Sequence, residues 1–504
     1  MVASGVETVT LSAPLLWLAV AAPIAAGIVS GFAGRSISAK GHTALATVSW
    51  LVSLLLLFPA LGHALAGRVV VDPFYGEVPG LGVFALFMDA VSAILALSVV
   101  LVSLIIAVYS RPYMEHRFEE LGGGSWGTYF LLYQLFTAGM LGAVLASNTI
   151  LFYLFLELTL IPSGLLIALY GYGDRLRVAL LYLVWTHVGT LLYLLGVFIS
   201  GAYDIYVPDT GYTVAAFTGL LPLALIIVGL GVKMAMAGIH FWLPYAHAEA
   251  PTPVSALLSP LFIGVGGYAL FRVGVGMFQA DWATLRPILF AWAVATMLYG
   301  GFLVLVQQDV KRLFAYSSIS QMGYIMLGLS VANPEAEAGA ILHYMSHALG
   351  KAILFGVAGV FIVALGTRNI REMGGLLGVM PYTGSIALTG FMLISGLPPT
   401  LGMWSEVLLV FGYAKWAMGL GLGLFLLTAA LVAAAMSLTV VYSFQTFRLV
   451  FLGRRGPAAE RGGESHASSL IAPLLALAVL GVTLFVAAGV LVDPLVDFLR
   501  VVYG

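Results

Sequence analysis

The stretch 227–260, IVGLGVKMAMAGIHFWLPYAHAEAPTPVSALLSP, determines the class of fold. It begins as an apolar run suited to a bilayer, yet it contains Lys233 close to Gly229 and Gly231. A lysine at the centre of a membrane helix costs about 3 kcal/mol on insertion scales, whereas a leucine or valine returns only about 0.3 to 0.6 kcal/mol. Lys233 is therefore expected to face a protein-lined or wet cavity, away from lipid.

Glycine and proline residues interrupt this stretch. Beyond Gly238 the chain is expected to leave the membrane through segment 240–253, and Pro260 and Gly264 then interrupt the next helix. Breaks beside a buried charge are typical of discontinuous transporter helices, in which freed backbone groups line a pathway. A kinked packing helix, whose lysine merely pairs with a neighbour, is the alternative.

The composition indicates a polytopic membrane protein. Of the 504 residues, 61% are hydrophobic and 9% are charged, whereas a soluble domain carries about 25% charged residues. The absence of cysteine leaves no ligands for an iron–sulfur cluster and no thiol redox centre. The net charge of -1 gives no indication of nucleic-acid binding. Without a phosphate-binding loop, dinucleotide fingerprint or zinc ligand set, we expect neither a cofactor nor a metal.

Hydrophobic runs of spanning length predict fourteen transmembrane helices. They lie near residues 14–33, 44–65, 85–109, 126–146, 148–170, 176–200, 214–239, 253–277, 284–306, 313–331, 336–365, 383–413, 420–450 and 468–496. The N-terminus has no basic region before its first long apolar run, which predicts a retained helix and not a cleaved signal peptide.

The basic residues of the loops predict the orientation. With the N-terminus outside, the inner loops hold fourteen lysine and arginine residues and the outer side holds four. This bias follows the positive-inside rule, so both termini are expected on the outer side of a prokaryotic cytoplasmic membrane. Acidic residues, including Asp281, Glu335 and Glu337, are then placed outside.

Helices 4–8 and 9–13 form two blocks of five, and an odd number of helices per block gives the blocks opposite orientations. Helix 7, with Lys233, corresponds to helix 12, in which Glu406 follows a break at Pro398 and Pro399. Helix 6, with His187, corresponds to helix 11. We predict an all-α fold with two inverted five-helix repeats and discontinuous helices 7, 8 and 12. The expected units are residues 1–125 (helices 1–3), 126–280 (first repeat), 281–452 (second repeat) and 453–504 (cytoplasmic link and last helix).

Glu157 lies in the apolar run LFYLFLELTLIPSGLL of helix 5. Burial opposes the charged form of a carboxylate and of a lysine, while their mutual attraction favours both charged forms. A Glu157–Lys233 pair would therefore change its protonation state as the two groups approach or separate, as a switch requires. A static buried ion pair is the alternative.

Helix 11 contains LHYMSHALGKAILF, which places His343, His347 and Lys351 at i, i+4 and i+8. The three residues share one helix face over about 12 Å. Titratable groups bridged by water can move protons through a membrane, and histidine titrates near neutral pH. A zinc site is the rival, but no nearby glutamate or cysteine completes it. His187, alone on helix 6, suits proton transfer or simple packing equally well.

Two further groups of charges have mainly structural interpretations. Asp89 begins helix 3 on the outer side and is expected to be structural. Asp309, Lys311 and Arg312 form a cytoplasmic helix entrance, for which interfacial anchoring is favoured over transport.

Five motifs together resemble the antiporter-like subunits of respiratory complex I and their relatives in Mrp cation/proton antiporters and membrane-bound hydrogenases. The motifs are LFLELTLIP, VKMAMAGIHFWLPYAHAEAPTPVSALLS, QQDVKRLFAYSSISQMGY, LHYMSHALGKAILF and SGLPPTLGMWSE. The resemblance runs from about Asp89 to helix 13, and the WLPxAHxEAP run is its most specific part. It implies a fourteen-helix fold with two inverted five-helix units and a role in moving protons.

The resemblance also implies individual roles. Glu157 matches the family's helix 5 glutamate, and Lys233 matches its helix 7 lysine. Glu406 at the end of helix 12 favours the M-type (subunit 4-like) subunit, since the other types usually carry lysine there. Gly264 departs from the pattern, because most M-type and Mrp relatives have a lysine at this position. We expect water beside Gly264, with His343 or His347 one or two waters away.

These observations predict a proton-translocating membrane subunit of a complex I-like NADH (or other donor):quinone oxidoreductase. The chain would be non-catalytic itself and would contact lipid and other membrane subunits, including neighbouring antiporter-like subunits. Protons would pass from the cytoplasm through the Lys233 region and the helix 11 ladder to Glu406, with polar cavities around Lys233, Lys351 and Glu406. The alternative is the D-type subunit of a multi-subunit Na+/H+ antiporter. A membrane scaffold ranks last, because buried charges cost a few kcal/mol each.

Overall fold

The computed structural model describes residues 6–503, and helices make up most of this part of the chain. Within it, the α-helices are α1 Leu15–Ala33, α2 Ala39–Leu65, α3 Ala90–Glu120, α4 Trp126–Leu145, α5 Thr149–Tyr170, α6 Arg175–Ser200, α7 Leu220–Met234, α8 Trp242–Glu249, α9 Thr252–Leu257, α10 Ile263–Ala269, α11 Gln279–Leu305, α12 Val310–Val331, α13 Pro334–Leu365, α14 Pro381–Ile394, α15 Gly402–Ala417, α16 Leu422–Phe451, α17 Ala458–Arg461, α18 Ser468–Val486 and α19 Gly489–Tyr503. Two π-helical segments, Leu258–Phe262 and Leu270–Met277, flank α10.

Seven short strands lie between the helices in the described chain. They are β1 Thr8–Thr10, β2 Val69–Val71, β3 Gly76–Val78, β4 Gly82–Phe84, β5 Phe87–Met88, β6 Tyr206–Val207 and β7 Gly211–Tyr212. In the sheet β1-β2-β5, Thr8 pairs with Val69 in parallel and Val70 pairs with Met88 antiparallel, while β3/β4 and β6/β7 form antiparallel pairs. Strand β5 occupies residues predicted to begin helix 3. That helix starts later because the Asp89 carboxylate and the Ser92 side chain cap its N-terminus reciprocally.

The predicted helical membrane fold is confirmed. Eleven helical spans in the described chain are long and apolar enough to cross a membrane. Two further predicted crossings are built from the half-helix pairs α7/α8 and α14/α15, and a third is α12, whose 22 residues include four serines. These crossings correspond to the fourteen predicted runs. The crossing Thr252–Met277 and helix α13 lie at the centre and are the most buried.

Helices 7 and 12 are discontinuous, as predicted. Helix α7 ends where Ala235 adopts a left-handed conformation with φ of 55°, and α14 ends shortly before Gly396, whose φ is 62°. The prediction that the chain leaves the membrane through segment 240–253 stays a prediction. After the break the chain continues into helix α8, in which Trp242 and His247 are fully buried, so one side of the second half-helix packs inside the protein.

The predicted break in helix 8 is also wrong, because the crossing Thr252–Met277 runs without interruption. Its first π-helical segment contains Pro260. Proline cannot donate a backbone hydrogen bond, and a π turn redirects the bonding pattern around it. The glycines that follow allow close packing and do not end the helix.

The charged loops sort onto two faces. One face carries strand β1 and helix α19, with ion pairs Arg68–Glu7 at 2.9 Å and Arg500–Glu335 at 3.1 Å. We call it the termini face, and its counterpart, which carries Glu249 and Arg368, the opposite face. The last predicted run, 468–496, is two helices and not one. Helix α19 is amphipathic and buries Leu495 and Leu499 while Asp497 stays exposed.

Candidate functional site

Lys233 lies one residue before the end of α7, at the helix break. Its side chain is buried, and its Nζ has no hydrogen-bond partner within the protein. The Nζ lies 4.0 Å from the centre of the Phe262 ring. Two glycines allow the close packing around it. A Cβ at Gly229 would lie 2.4 Å from the Gly189 carbonyl oxygen, and one at Gly231 would lie 2.7 Å from the Trp292 ring.

Glu157 bonds to helix α6 and forms no direct pair with Lys233. Its carboxylate accepts a hydrogen bond from Thr190 Oγ1 at 2.6 Å and lies 3.1 Å from His187 Nδ1. Among the described residues, no ion pair within 4.0 Å joins Glu157 to Lys233. The predicted pair is therefore open in this structure, although Glu157 is the charged group that acts most on Lys233. The His187 side chain is 46% exposed, so the contact between His187 and Glu157 lies at the lateral surface.

The three residues predicted to share a face of transmembrane helix 11 lie on α13, and each is fully buried. They are His343, His347 and Lys351. The His343 ring stacks on Tyr324 with centres 4.7 Å apart, and its Nδ1 lies 3.3 Å from Ser405 Oγ. Neither ring nitrogen of His347 has a protein partner. Lys351 donates hydrogen bonds to the Ser317 hydroxyl and, at 3.2 Å, to the Phe314 carbonyl. Lys351 thus contacts polar groups, whereas the Lys233 ammonium lies against an aromatic ring, and the polar cavities expected around Lys233, Lys351 and Glu406 stay a prediction.

Glu406 lies in the first turn and a half of α15 and packs against the break in helix 12. A Cβ at Gly396 would lie 2.3 Å from the Glu406 Cδ, so only glycine fits there beside the carboxyl group. Pro398 and Pro399 lie in the segment between α14 and α15. The Glu406 Oε1 has no protein partner, while the residue as a whole is half-buried. Tyr324, which stacks on His343, is also an electrostatic neighbour of Glu406.

A small apolar cavity touches Gly264, and the space that its missing side chain leaves is occupied by Tyr344. A Cβ at Gly264 would lie 2.2 Å from Cδ2 of Tyr344, so the tyrosine ring occupies the space that the missing side chain leaves. The Tyr344 hydroxyl donates to the Leu261 carbonyl at 3.3 Å. His347 instead lies beside the Pro260 carbonyl, about one turn from Gly264. A ring from α13 therefore fills the side-chain space at Gly264, and the position of Gly264 in the path stays a prediction.

His247 was missed by the sequence reasoning, which placed it outside the membrane. It is fully buried on α8, stacks on Phe355 with centres 5.2 Å apart, and has no hydrogen-bond partner on either nitrogen. Lys311 and Lys351 are the charged groups that act on it. Its position fourteen residues after Lys233 in the same interrupted crossing was the available signal.

Lys311 also differs from its expected role as an interfacial anchor. It is fully buried, and its Nζ donates to the Ala250 carbonyl. Its neighbours do lie at the surface, since Asp309 pairs with Arg368 at 2.6 Å and Arg312 lines a cavity. Of the three charges, Asp309 and Arg312 therefore lie at the surface, and Lys311 is buried.

Two cavities of about 440 and 450 Å³ open on the opposite face and share Glu249 in their walls. Glu249 lies 3.6 Å from Arg368, and its Oε2 has no protein partner. Tyr172 lines one cavity, and burial raises the pKa of its hydroxyl well above the usual range, so it stays neutral. Glu249 thus connects this face to the adjacent buried residues His247 and Lys311.

Asp89 forms a fully buried ion pair with Arg272 at 2.6 Å. Tyr212 donates a further hydrogen bond of 2.5 Å to the carboxylate. Burial raises the pKa of Asp89, but the Arg272 guanidinium outweighs it and holds this pKa below its usual range. The pair fastens the end of the helix 8 crossing to the start of α3, as the structural interpretation of Asp89 predicts.

Replacing Arg272 with methionine is expected to destabilise the protein by about 3 to 5 kcal/mol, because Asp89 would remain buried without its partner. Thermal unfolding in detergent, followed by intrinsic fluorescence, would measure the loss. The double variant Asp89→Asn/Arg272→Met is the control and should recover part of the stability. An unchanged melting temperature for Arg272→Met would contradict the anchoring role.

Comparison with known proteins identifies the family. Residues 146–432, more than half of the chain, match the family model described as NADH:quinone oxidoreductase/Mrp antiporter, TM. The chain belongs to this family. The resemblance inferred from the five motifs is thereby confirmed, and the chain is an integral multi-pass membrane protein.

Individual members of the NADH:quinone oxidoreductase/Mrp antiporter family match most of the chain. NADH-quinone oxidoreductase subunit N of Desulforudis audaxviator (strain MP104C) is 33% identical over 419 residues, covering 78% of this chain and 80% of that protein. NADH-quinone oxidoreductase subunit M of Rhodobacter capsulatus is 29% identical over 489 residues, covering 92% and 91%. A chain of the Mrp complex from Dietzia sp. DQ12-45-1b shares the fold, with a TM-score of 0.82, 20% identity and 97% of each chain covered.

Proposed function

We propose that this chain is a proton-translocating membrane subunit of a complex I-like oxidoreductase that passes electrons from NADH or another donor to quinone. One observation carries the proposal. Of the sixteen buried side-chain polar atoms without a protein partner in the described chain, seven belong to five residues of the candidate path. These residues are Lys233, His247, His343, His347 and Glu406. Buried polar atoms are normally hydrogen-bonded, and water supplies the partner where protein does not.

The order of the groups supports a continuous route. His347 has Lys351, His343 and His247 as electrostatic neighbours, and His343 and Glu406 both adjoin Tyr324. Protons would enter at Glu249 on the opposite face and reach the buried lysines and His247. They would continue along Lys351, His347 and His343 to Glu406. Direct proton hops need partners about 3 Å apart, so water bridges the longer gaps.

Glu157 would control the proton affinity of Lys233 by its distance. In this structure it is held by Thr190 and His187 at the lateral surface. A charge on a neighbouring subunit could pull the carboxylate further from Lys233 or release it toward the lysine. Separation would favour proton loss from Lys233, since the neighbouring negative charge favours its charged form.

The same proposal covers orientation and assembly. The positive-inside bias supports an orientation in which the termini face lies outside a prokaryotic cytoplasmic membrane. Glu406 favours an M-type position beside other antiporter-like membrane subunits. The division into residues 1–125, 126–280, 281–452 and 453–504 remains part of this proposal, with the repeats meeting near the helix 8 crossing.

Reconstitution of the assembled complex tests the function. Vesicles with the purified complex, an electron donor and quinone should acidify inside as quinone is reduced, and replacing Na+ with K+ should leave the rate unchanged. Collapse of the signal by a protonophore is the control. Co-purification with only small membrane subunits, together with Na+-driven proton exchange, would contradict it and favour the D-type antiporter subunit.

A further inference from the structure

A cavity of about 410 Å³ opens near the termini face, and Glu406 does not line it. Gln279, Ala280 and Arg286 of α11 line one side, and Ala332 and Glu337 line the other. Glu337 is only 2% exposed, and its Oε2 has no protein partner. A buried carboxylate thus forms part of the wall of a cavity that is open to solvent.

The charges around Glu337 leave its carboxylate without a direct partner. Arg286 is the positively charged residue that acts on the Glu337 carboxylate. Among the described residues, however, no ion pair within 4.0 Å joins the two side chains. The Arg286 guanidinium donates instead to the Ala332 carbonyl at 3.4 Å. Glu335, on the same helix, is neutralised by Lys415 at 2.6 Å and Arg500 at 3.1 Å. Glu337 alone faces the cavity with a free carboxylate oxygen.

A row of residues on α13 connects Glu337 to the buried histidines. Tyr344 follows Glu337 by seven residues and so lies on the same helix face, about 10.5 Å along the axis. Ala340 and Ile341 lie between them and line a small apolar cavity that also touches Gly264. His347 follows Tyr344 by three residues. The Tyr344 hydroxyl and His347 both adjoin backbone carbonyls of the first π-helical segment of helix 8.

We propose that Glu337 is a proton-release site on the termini face, separate from Glu406. The inference rests on the proposed function and supplies a second outlet for it. A protonated His347 passes its proton through water to the Tyr344 hydroxyl oxygen as its N–H bond breaks, and the original O–H bond of Tyr344 breaks as that proton leaves for water admitted to the gap. Water carries the proton to Glu337, where an O–H bond forms on the carboxylate. That bond breaks in turn when the carboxyl group releases the proton to the cavity, so His347 and Tyr344 end neutral and Glu337 ends charged. Arg286 stabilises the carboxylate that remains.

The small cavity beside Gly264 controls when protons reach Glu337. Its lining is apolar, and small apolar cavities stay dry. Protons therefore cross it only when movement of Tyr344 or of the adjoining π-helical segment admits water. This gating keeps the outer solution from protonating the path directly.

Replacement of Glu337 by glutamine tests the outlet. Proton pumping by the reconstituted complex should fall at least threefold, while quinone reduction with a protonophore is retained. Glu335→Gln is the matched control, two residues away on the same helix, and should pump normally. Lys233→Ala is measured in parallel. If it stops pumping while Glu337→Gln pumps normally, the outlet is overturned and the proposed function stands. If both variants pump normally, both are overturned.

A labelling experiment decides the matter even if Glu337→Gln fails to assemble. The chain has no cysteine, so Ala280→Cys places a single thiol at the exposed rim of the cavity. A membrane-impermeant methanethiosulfonate reagent added on the termini side should slow pumping, and the same reagent on the other side should not. Complete labelling from the termini side without any loss of pumping would overturn the outlet.

Discussion

Replacing Lys233 with alanine is expected to abolish most proton pumping by the assembled complex while electron transfer and assembly persist. The lysine is the titratable group at the break in helix 7, and alanine cannot carry a proton. The substitution should not unfold the chain, because the Nζ has no protein hydrogen bond to lose and an unpartnered buried polar group is costly to keep. Acidification of vesicles and quinone reduction, recorded on the same sample, would measure both effects.

Lys40→Ala is the matched control for this experiment. Lys40 is an exposed lysine on α2 at the opposite face, distant in sequence from both helix breaks. Its removal should leave the ratio of protons to quinone unchanged. Normal pumping by the Lys233→Ala complex would rule out a role for this lysine in transport.

Replacing His347 with alanine is expected to impair pumping about as strongly as loss of Lys233. His347 neighbours His247, Lys351 and His343 at once, and both of its nitrogens lack protein partners. Its loss leaves a gap much longer than the 3 Å reach of a direct proton hop. His347→Leu, which fills the space without a titratable group, should give the same result as His347→Ala.

His63→Ala provides the comparison for His347. His63 lies near the end of α2 beside Arg68, far from the buried row. Pumping by that variant should match the unaltered complex. If His347→Ala and His347→Leu both pump as well as His63→Ala, the helix 11 ladder does not carry protons.

The sequence was sufficient for those features that a single helix determines. The cost of burying Lys233 predicted its protein-lined site, and the spacing of His343, His347 and Lys351 predicted a shared helix face. Local backbone chemistry also predicted the breaks in helices 7 and 12, since glycine and proline act on their own segment.

Features that depend on contacts between distant segments were not predictable in this way. His247 lies in the segment through which the chain was expected to leave the membrane, yet it is buried and stacks on Phe355. Gly264 was expected to adjoin water, but the ring of Tyr344, eighty residues later, fills the space. Glu337 was placed at the outer side, at the start of the predicted helix 336–365, but its burial was not predicted, and the structure buries it on α13. The sequence around each of these three residues contains no periodic pattern that would indicate its distant contact.

The number of protons translocated per quinone reduced, measured for Lys233→Ala, His347→Ala and the combined variant, tests most directly whether the buried row is a single proton path. If both residues lie on one path, each single variant loses most pumping and the combined variant loses no more than the more impaired single one. Electron transfer with a protonophore should be alike in all three. A ratio equal to that of the unaltered complex in either single variant, or losses that add in the combined one, would contradict a single path.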